Sequence, residues 1–321
     1  MTSPFVGPLA KEISAFLVFK RALGSPYRRA EFTLREFDRF LWHYIRGRRR
    51  WRLREAILAW LASKKDRKPV TVTVEIGVIR QFCKYRRRYD PDAFVPGRVW
   101  APQSTVSEFL PHIFSRAEMR QLLSLAARPC RCCAEMPPGL RRLLLLILYC
   151  TGLRVGEAAR LKVGDVDVRR AVIFVSESKG RSRWVPFHRS MLPEFERYLR
   201  GRRQLGPVNT SAPLFLRGGR ALSVRPASDL IRSLLRRAGL KPAKGRQGPR
   251  PYDLRHTFAV RRLERWYQAG VDIHERLPWL SAYMGHLDIL GTETYLNATP
   301  ELLARAARRF RRRLDCRRRL S

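Results

Sequence analysis

Acidic residues are scarce in this chain: its 321 residues hold 27 Asp and Glu against 66 Lys and Arg, a formal net charge of +39. That balance disfavours cationic partners and favours a polyanion, because each phosphate neutralised by a basic side chain releases condensed counterions. The basic residues run through the whole sequence instead of collecting in one tract, so nucleic acid is the partner class to which the charge points. A GC-rich coding sequence would explain arginine in place of lysine, but not the shortage of acids. Long apolar runs are also missing. The longest, Leu143 to Leu148, is far too short to span a bilayer, and no basic stretch followed by an apolar one marks the N-terminus as a leader. These absences predict a soluble, cytoplasmic protein with no membrane partner.

The six cysteines, Cys83, Cys130, Cys132, Cys133, Cys150 and Cys316, do not make a disulfide framework in a chain of this length. Cys130, Cys132 and Cys133 are clustered but lack a second ligand pair at finger-like spacing, which favours free thiols over zinc. Neither a P-loop nor a carboxylate cluster for two metals is present, so no cofactor is expected. No internal repeat is found, and the only low-complexity stretch is the Arg-rich C-terminus.

What is present suits a globular protein. Hydrophobic residues make up 45% and aromatics 10%, enough to bury cores, and the length favours two domains. Helical spacing of apolar residues covers Leu9 to Leu23, Thr33 to Tyr44, Leu53 to Ser63 and Val72 to Tyr85, a four-helix bundle. Tyr89 to Pro111 carries Pro91, Pro96, Pro102 and Pro111 and reads as an extended connection. Ser115 with Glu118 forms a capping box that opens a second domain. An apolar helix follows over Leu140 to Tyr149, and three short strands alternate over Val166 to Val168, Ala171 to Val175 and Arg183 to Pro186. Helices resume at Met191 to Arg200, Ala227 to Ala238, Leu254 to Ala269, Leu277 to Met284 and Leu302 to Arg313. The expected division is a helical domain over residues 1–95, a linker over 96–111, a second domain over 112–300 and a basic C-terminal helix or tail over 301–321.

Four local signatures stand in order along the second domain. They are Thr151-Gly-Leu-Arg154-Val-Gly-Glu157, then Ser178-Lys179-Gly180 before a strand ending Val185-Pro186, then Tyr252-Asp-Leu-Arg255-His256, and last Gly285-His286 with Tyr295 nine residues on. The residue types suit transesterification of a phosphodiester, which needs a nucleophile, cations fixed on the non-bridging oxygens and a proton for the departing hydroxyl. Arg154 and Arg255 can each fork onto a phosphate. Glu157, three residues beyond Arg154, can share its helical face and orient the guanidinium. In so basic a chain any one arginine is otherwise a solvated charge, and one tyrosine of 10 would not stand out by itself.

Taken together and in this order, the signatures resemble the catalytic domain of the tyrosine recombinases, the family of phage and transposon integrases and of chromosome-dimer resolvases. The preceding helices resemble that family's core-binding domain. The resemblance implies a mainly α fold with a small antiparallel sheet: an N-terminal helical bundle plus a C-terminal α+β catalytic domain, clamped around double-stranded DNA. It implies a site-specific recombinase of a mobile element, in which Tyr295 attacks the scissile phosphate and leaves a 3′-phosphotyrosyl link and a free 5′-hydroxyl. Arg154, Arg255 and His286 would hold the phosphate, while Glu157 and His256 would support them. Lys179 would be the general acid: the chain uses arginine almost wherever it needs a cation, and a lysine, unlike an arginine, can have its pKa of about 10.4 lowered far enough to release a proton. Exchange would take a tetramer on paired DNA sites, with a partner recombinase as an alternative source of protomers. Leu302, Leu303, Ala306, Phe310 and Leu314 form an apolar stripe, which would pack either on a neighbouring protomer or in cis.

One position departs from the family pattern. Tyr252 stands three residues before Arg255, where the family usually has His. A phenol can donate to a phosphate, but with a pKa near 10 it is a poor base at neutral pH; the third option is simple packing against Pro251. Two other functions therefore stay open at this point: a non-catalytic DNA-binding protein on a degenerate recombinase scaffold, and a type IB topoisomerase-like activity with the same chemistry.

Overall fold

The computed structural model describes residues 5–100, 110–130, 134–178, 181–206, 209–245, 247–286 and 292. The chain divides into two compact units, Met1–Glu108 and Phe109–Ser321. Among the described residues no helix is long and apolar enough to cross a membrane.

The first unit holds four helices, α1 (Ala10–Ala22), α2 (Arg28–Ile45), α3 (Leu53–Ala62) and α4 (Pro69–Arg86). Each turns one apolar stripe inward at helical spacing: Ile13, Phe16 and Leu17; Leu34, Phe37 and Leu41; Ala56, Ile57 and Trp60; Ile76, Ile79, Phe82 and Cys83. Aromatic edges lock the stripes, with Phe37 on Trp60 at 5.3 Å and Phe16 on Phe82 at 5.7 Å between ring centroids. Pro69 starts α4 at a position whose N–H would have no helical partner, earlier than the apolar pattern predicts. Residues 93–100 are not an extended connection. Phe94, Val95 and Trp100 pack on this core, Arg80 Nε donates to the Pro96 carbonyl at 2.9 Å, and Arg98–Trp100 form a short 3₁₀ turn. The prolines there interrupt helical periodicity without stopping the chain from burying side chains.

In the second unit, α5 (Arg116–Ala127) begins at the expected capping box: Ser115 Oγ accepts from the Glu118 N–H at 3.2 Å, and the Ser115 N–H donates to Glu118 Oε2 at 2.7 Å. The central helix α6 (Pro138–Thr151) is apolar on most of its surface, with Leu140, Leu143, Leu144, Leu145, Ile147 and Leu148 buried. It packs against α5, α8 (Leu192–Arg202) and α10 (Asp253–Gln268). The short α7 (Val155–Ala159) packs on α9 (Val224–Arg237), and α11 (Ile273–Met284) packs on α10.

The antiparallel sheet runs β1 (Val166–Asp167), β2 (Val172–Ser178), β3 (Arg181–Pro186), with Ile173 opposite Val185 and Val175 opposite Arg183. A register shift between Val175 and Ser178 lets β2 run three residues further than its apolar alternation. A second hairpin, β4 (Leu216–Arg217) with β5 (Arg220–Ala221), is absent from the sequence reading, since neither strand belongs to a longer run of alternating apolar residues. α11 begins four residues before the expected Leu277. Asp272 caps it by accepting from the His274 N–H at 2.8 Å, and Pro278 inside the helix disguises the pattern.

Candidate active site

The site is built where α6 ends. Thr151 Oγ1 donates a hydrogen bond to the Ile147 carbonyl, and Gly152 then takes a left-handed conformation, φ +64°. Any side chain there would strike the Phe258 ring, since an added Cβ would lie 2.6 Å from its Cδ1. The turn places Leu153 in the core and Arg154 in extended conformation ahead of α7, where its N–H donates to Glu157 Oε2 at 2.9 Å.

Glu157 is the hub. Its side chain is 1% exposed and meets Arg154 Nη1 at 2.6 Å, Arg183 Nη2 at 3.0 Å and, more distantly, Arg255 Nη1 at 4.0 Å. Three guanidinium groups around one carboxylate leave local positive charge in excess. A buried carboxylate in such company accepts hydrogen bonds from several donors at once and fixes their directions.

Arg255, in the first turn of α10, is itself only 1% exposed. Its Nη1 donates to the Gly152 carbonyl at 2.7 Å and its Nη2 to the Met284 carbonyl at 2.6 Å, so one guanidinium ties the end of α6 to the end of α11. Nη2 also lies 3.0 Å from His286 Nε2. An arginine can only donate, so Nε2 accepts; a neutral His286 then carries its proton on Nδ1, which faces Thr292 Oγ1 at 2.7 Å. Arg154 Nη2 reaches the Gly285 carbonyl at 3.1 Å. Arg154, Glu157, Arg255 and His286, four positions drawn from three of the sequence signatures, thus meet in one hydrogen-bonded network.

The other candidates differ. Tyr252 precedes α10, is 41% exposed, and lays its ring edge-on against His256 at 4.9 Å. Lys179 and Tyr295, together with the tail stripe from Leu302 to Leu314, lie outside the described residues. Cys132, Cys133 and Cys316 do also; among the described residues no His, Cys, Asp and Glu cluster could hold a metal. An open cavity of about 920 Å³ sits to one side, lined by Phe258, Leu280, Tyr283, Trp279, Arg261 and Arg265, and does not include the arginine network.

His256 is half-buried, and burial pushes its imidazole down to about 4, with Arg250 and Arg255 lowering it further and Asp253 opposing them. It is therefore neutral at pH 7. Because the folded value lies below the ordinary 6.5, the unfolded chain takes up the proton first. Stability is full above about pH 6.5 and falls as pH drops towards 4, by about 1 kcal/mol at pH 5 once the solvent reaching the ring is allowed for. Thermal melts of the parent and of His256→Gln between pH 5 and 7.5 check this: the difference between them narrows as pH falls, and a constant difference would remove the ring as the cause.

Arg183 is the member that the sequence reading missed as a site residue. On β3 it occupies the inward register between Val175 and Val185, while Trp184 faces out at 60% exposed. Polarity alone puts the tryptophan in and the arginine out. The useful signal is the two-residue period counted back from Val185.

Residues 114–301 match the model of the phage integrase family. The chain is 33% identical over 312 residues to the putative integrase/recombinase y4rB of Sinorhizobium fredii, covering 94% of this chain and 97% of that one. It is 27% identical to tyrosine recombinase XerC of Staphylococcus saprophyticus, over 77% of this chain and 76% of the relative. Its fold is similar to that of the Tn1549 transposon integrase solved in complex with circular intermediate DNA, with a TM-score of 0.65 and 17% identity over 93% of this chain and 99% of that one. The chain belongs to the phage integrase family of tyrosine recombinases, enzymes that cut and rejoin DNA through a phosphotyrosyl intermediate.

Proposed function

We propose that this recombinase carries out its reaction at the Arg154, Arg255 and His286 network, with Tyr295 as nucleophile and Lys179 as general acid. The observation that carries the reading is the convergence of two guanidinium groups and an imidazole on one carboxylate-braced, positively charged spot. In the reaction the Tyr295 phenol gives up its proton to water as its oxygen forms a bond to phosphorus and the bond to the 5′-oxygen breaks. Arg154 and Arg255 donate to the non-bridging oxygens as charge builds there, His286 joins them once its Nε2 takes up a proton and leaves Arg255, and Lys179 gives the departing oxygen its proton. The phosphate-bond energy is kept in the phosphotyrosyl link, so the free 5′-hydroxyl of a partner strand can attack it and return the tyrosine.

The general-acid assignment has its own test. Lys179→Arg keeps the charge but not the readily lost proton; it is expected to bind DNA as the parent does and to cleave about 10²- to 10³-fold more slowly. A substrate with a 5′-thio leaving group needs no acid, and it is expected to restore the rate. Absence of rescue would mean that the proton comes from another group.

Tyr252 is proposed to donate to the phosphate through its hydroxyl, in the position usually held by His. Its exposure and its place directly before α10 support that role. In single-turnover cleavage near neutral pH, Tyr252→Phe is expected to lose about 10-fold, one hydrogen bond to charge, and Tyr252→His to stay near the parent. Phe cleaving as fast as the parent leaves the ring only its packing on His256. Cleavage by the His variant alone would favour a degenerate scaffold that binds without cutting.

The assembly we propose is a tetramer on two paired double-stranded DNA sites, since strand exchange needs two cuts on each duplex. Mass measurement of complexes on DNA carrying the element's own ends tests it, with four protomers on two duplexes as the expected species.

A further inference from the structure

We propose that Arg183 is a positioning residue for catalysis: it clamps Glu157 to the end of α11, so that Arg154 and His286 keep the spacing a phosphate requires. This rests on the site reading above and extends it to a residue outside the four signatures.

All three guanidinium nitrogens of Arg183 engage protein acceptors. Nη1 donates to Glu157 Oε1 at 3.3 Å and Nη2 to Glu157 Oε2 at 3.0 Å, a forked pair, while Nε donates to the Tyr283 carbonyl at 2.7 Å. One planar group therefore spans from α7 to the last turn of α11. Glu157 in turn holds the Arg154 side chain and backbone N–H. Two residues after Tyr283 comes Gly285, whose carbonyl receives Arg154, and after it His286. Remove the clamp, and among the described hydrogen bonds those of Arg154 and Arg255 are left to join the Arg154 side to the His286 side.

Gly285 supports this independently. Its φ of +65° suits glycine, and an added Cβ would lie 2.7 Å from Arg183 Nη1 and 2.9 Å from Cζ. The backbone that carries His286 lies directly against the Arg183 guanidinium, and an added methyl group would have to displace that guanidinium. A lysine would keep the charge but could not bridge both carboxylate oxygens and the carbonyl at once. Arg183 is thus placed behind the phosphate-holding groups, acting through them.

A misplacement of about 1 Å in a catalytic constellation costs about 10² in rate. Full-length Arg183→Lys and Arg183→Gln are therefore expected to cleave a suicide DNA substrate about 10²-fold more slowly in single turnover at saturating enzyme, with DNA affinity within about threefold of the parent on the same scale of effects. Unlike a defect at Lys179, this one is expected to persist with a 5′-thio leaving group. Glu157→Gln combined with Arg183→Gln should be no slower than the worse single variant, because the two act as one unit. Parental rates in both Arg183 variants, full rescue by the thio substrate, multiplicative effects in the double variant, or recovery on lowering the assay temperature would each overturn the proposal. The last would reduce Arg183 to a stability role. Tyr295→Phe, run alongside, separates the two levels: an adduct formed by that variant overturns the site reading itself, whatever Arg183 does.

Discussion

Tyr295→Phe is expected to bind DNA and melt as the parent does, yet to form no covalent adduct and no recombinant product. The phenyl ring has the same shape but no oxygen to attack phosphorus. The effect should be complete, unlike the graded losses expected at Lys179 and Tyr252. It should also be confined to chemistry, because the positive charge that binds DNA, a formal +39 over the chain, is untouched. Gel shift, thermal melt and suicide-substrate trapping on one preparation check all three parts. Adduct formation by the variant would leave Tyr252 or another tyrosine as the nucleophile.

The second large effect separates two arginines that the sequence treats alike. Arg154→Ala and Arg255→Ala are each expected to slow single-turnover cleavage by about 10³-fold, the scale of losing one fixed donor at a developing charge. Only one of them should also destabilise the fold. Arg255 is fully buried and satisfies the Gly152 and Met284 carbonyls, so its truncation leaves those acceptors unpaired and a cavity behind, at a cost of about 3 kcal/mol or more. Arg154 is 18% exposed at its side chain and leaves a smaller debt, which water can meet, so its variant should melt within a few degrees of the parent. Equal melting losses would mean that burial does not distinguish the two roles.

This contrast marks how far the sequence could be read. The helices of both units are legible because their apolar stripes recur at the period of the helix, and α5 because Ser115 and Glu118 satisfy each other's backbone donors. Other elements are not legible in this way. β4 and β5 have two residues each, and α11 hides its start behind Pro278. Residues 93–100 pack on the first core through Phe94, Val95 and Trp100, at spacings that no regular element produces.

At the site, motif order marked Arg154, Glu157, Arg255 and His286, and the structure brings them together. What the motifs could not convey is direction. Glu157 reads in sequence as a support for Arg154 alone, whereas in the fold it also receives Arg183 from a strand 26 residues away. Arg255 reads as a phosphate ligand, yet it is also a strut between α6 and α11. Such roles depend on which chain ends meet, a property of tertiary packing that local pattern does not encode.

The most direct measurement is to trap the enzyme on a suicide substrate carrying its own element's end, digest the adduct with protease and nuclease, and locate the nucleotide by mass spectrometry. The account predicts a single modified peptide, with the DNA 3′-phosphate joined to Tyr295 and a free 5′-hydroxyl on the released strand. Linkage to any other residue, or stable binding with no covalent adduct, would contradict it.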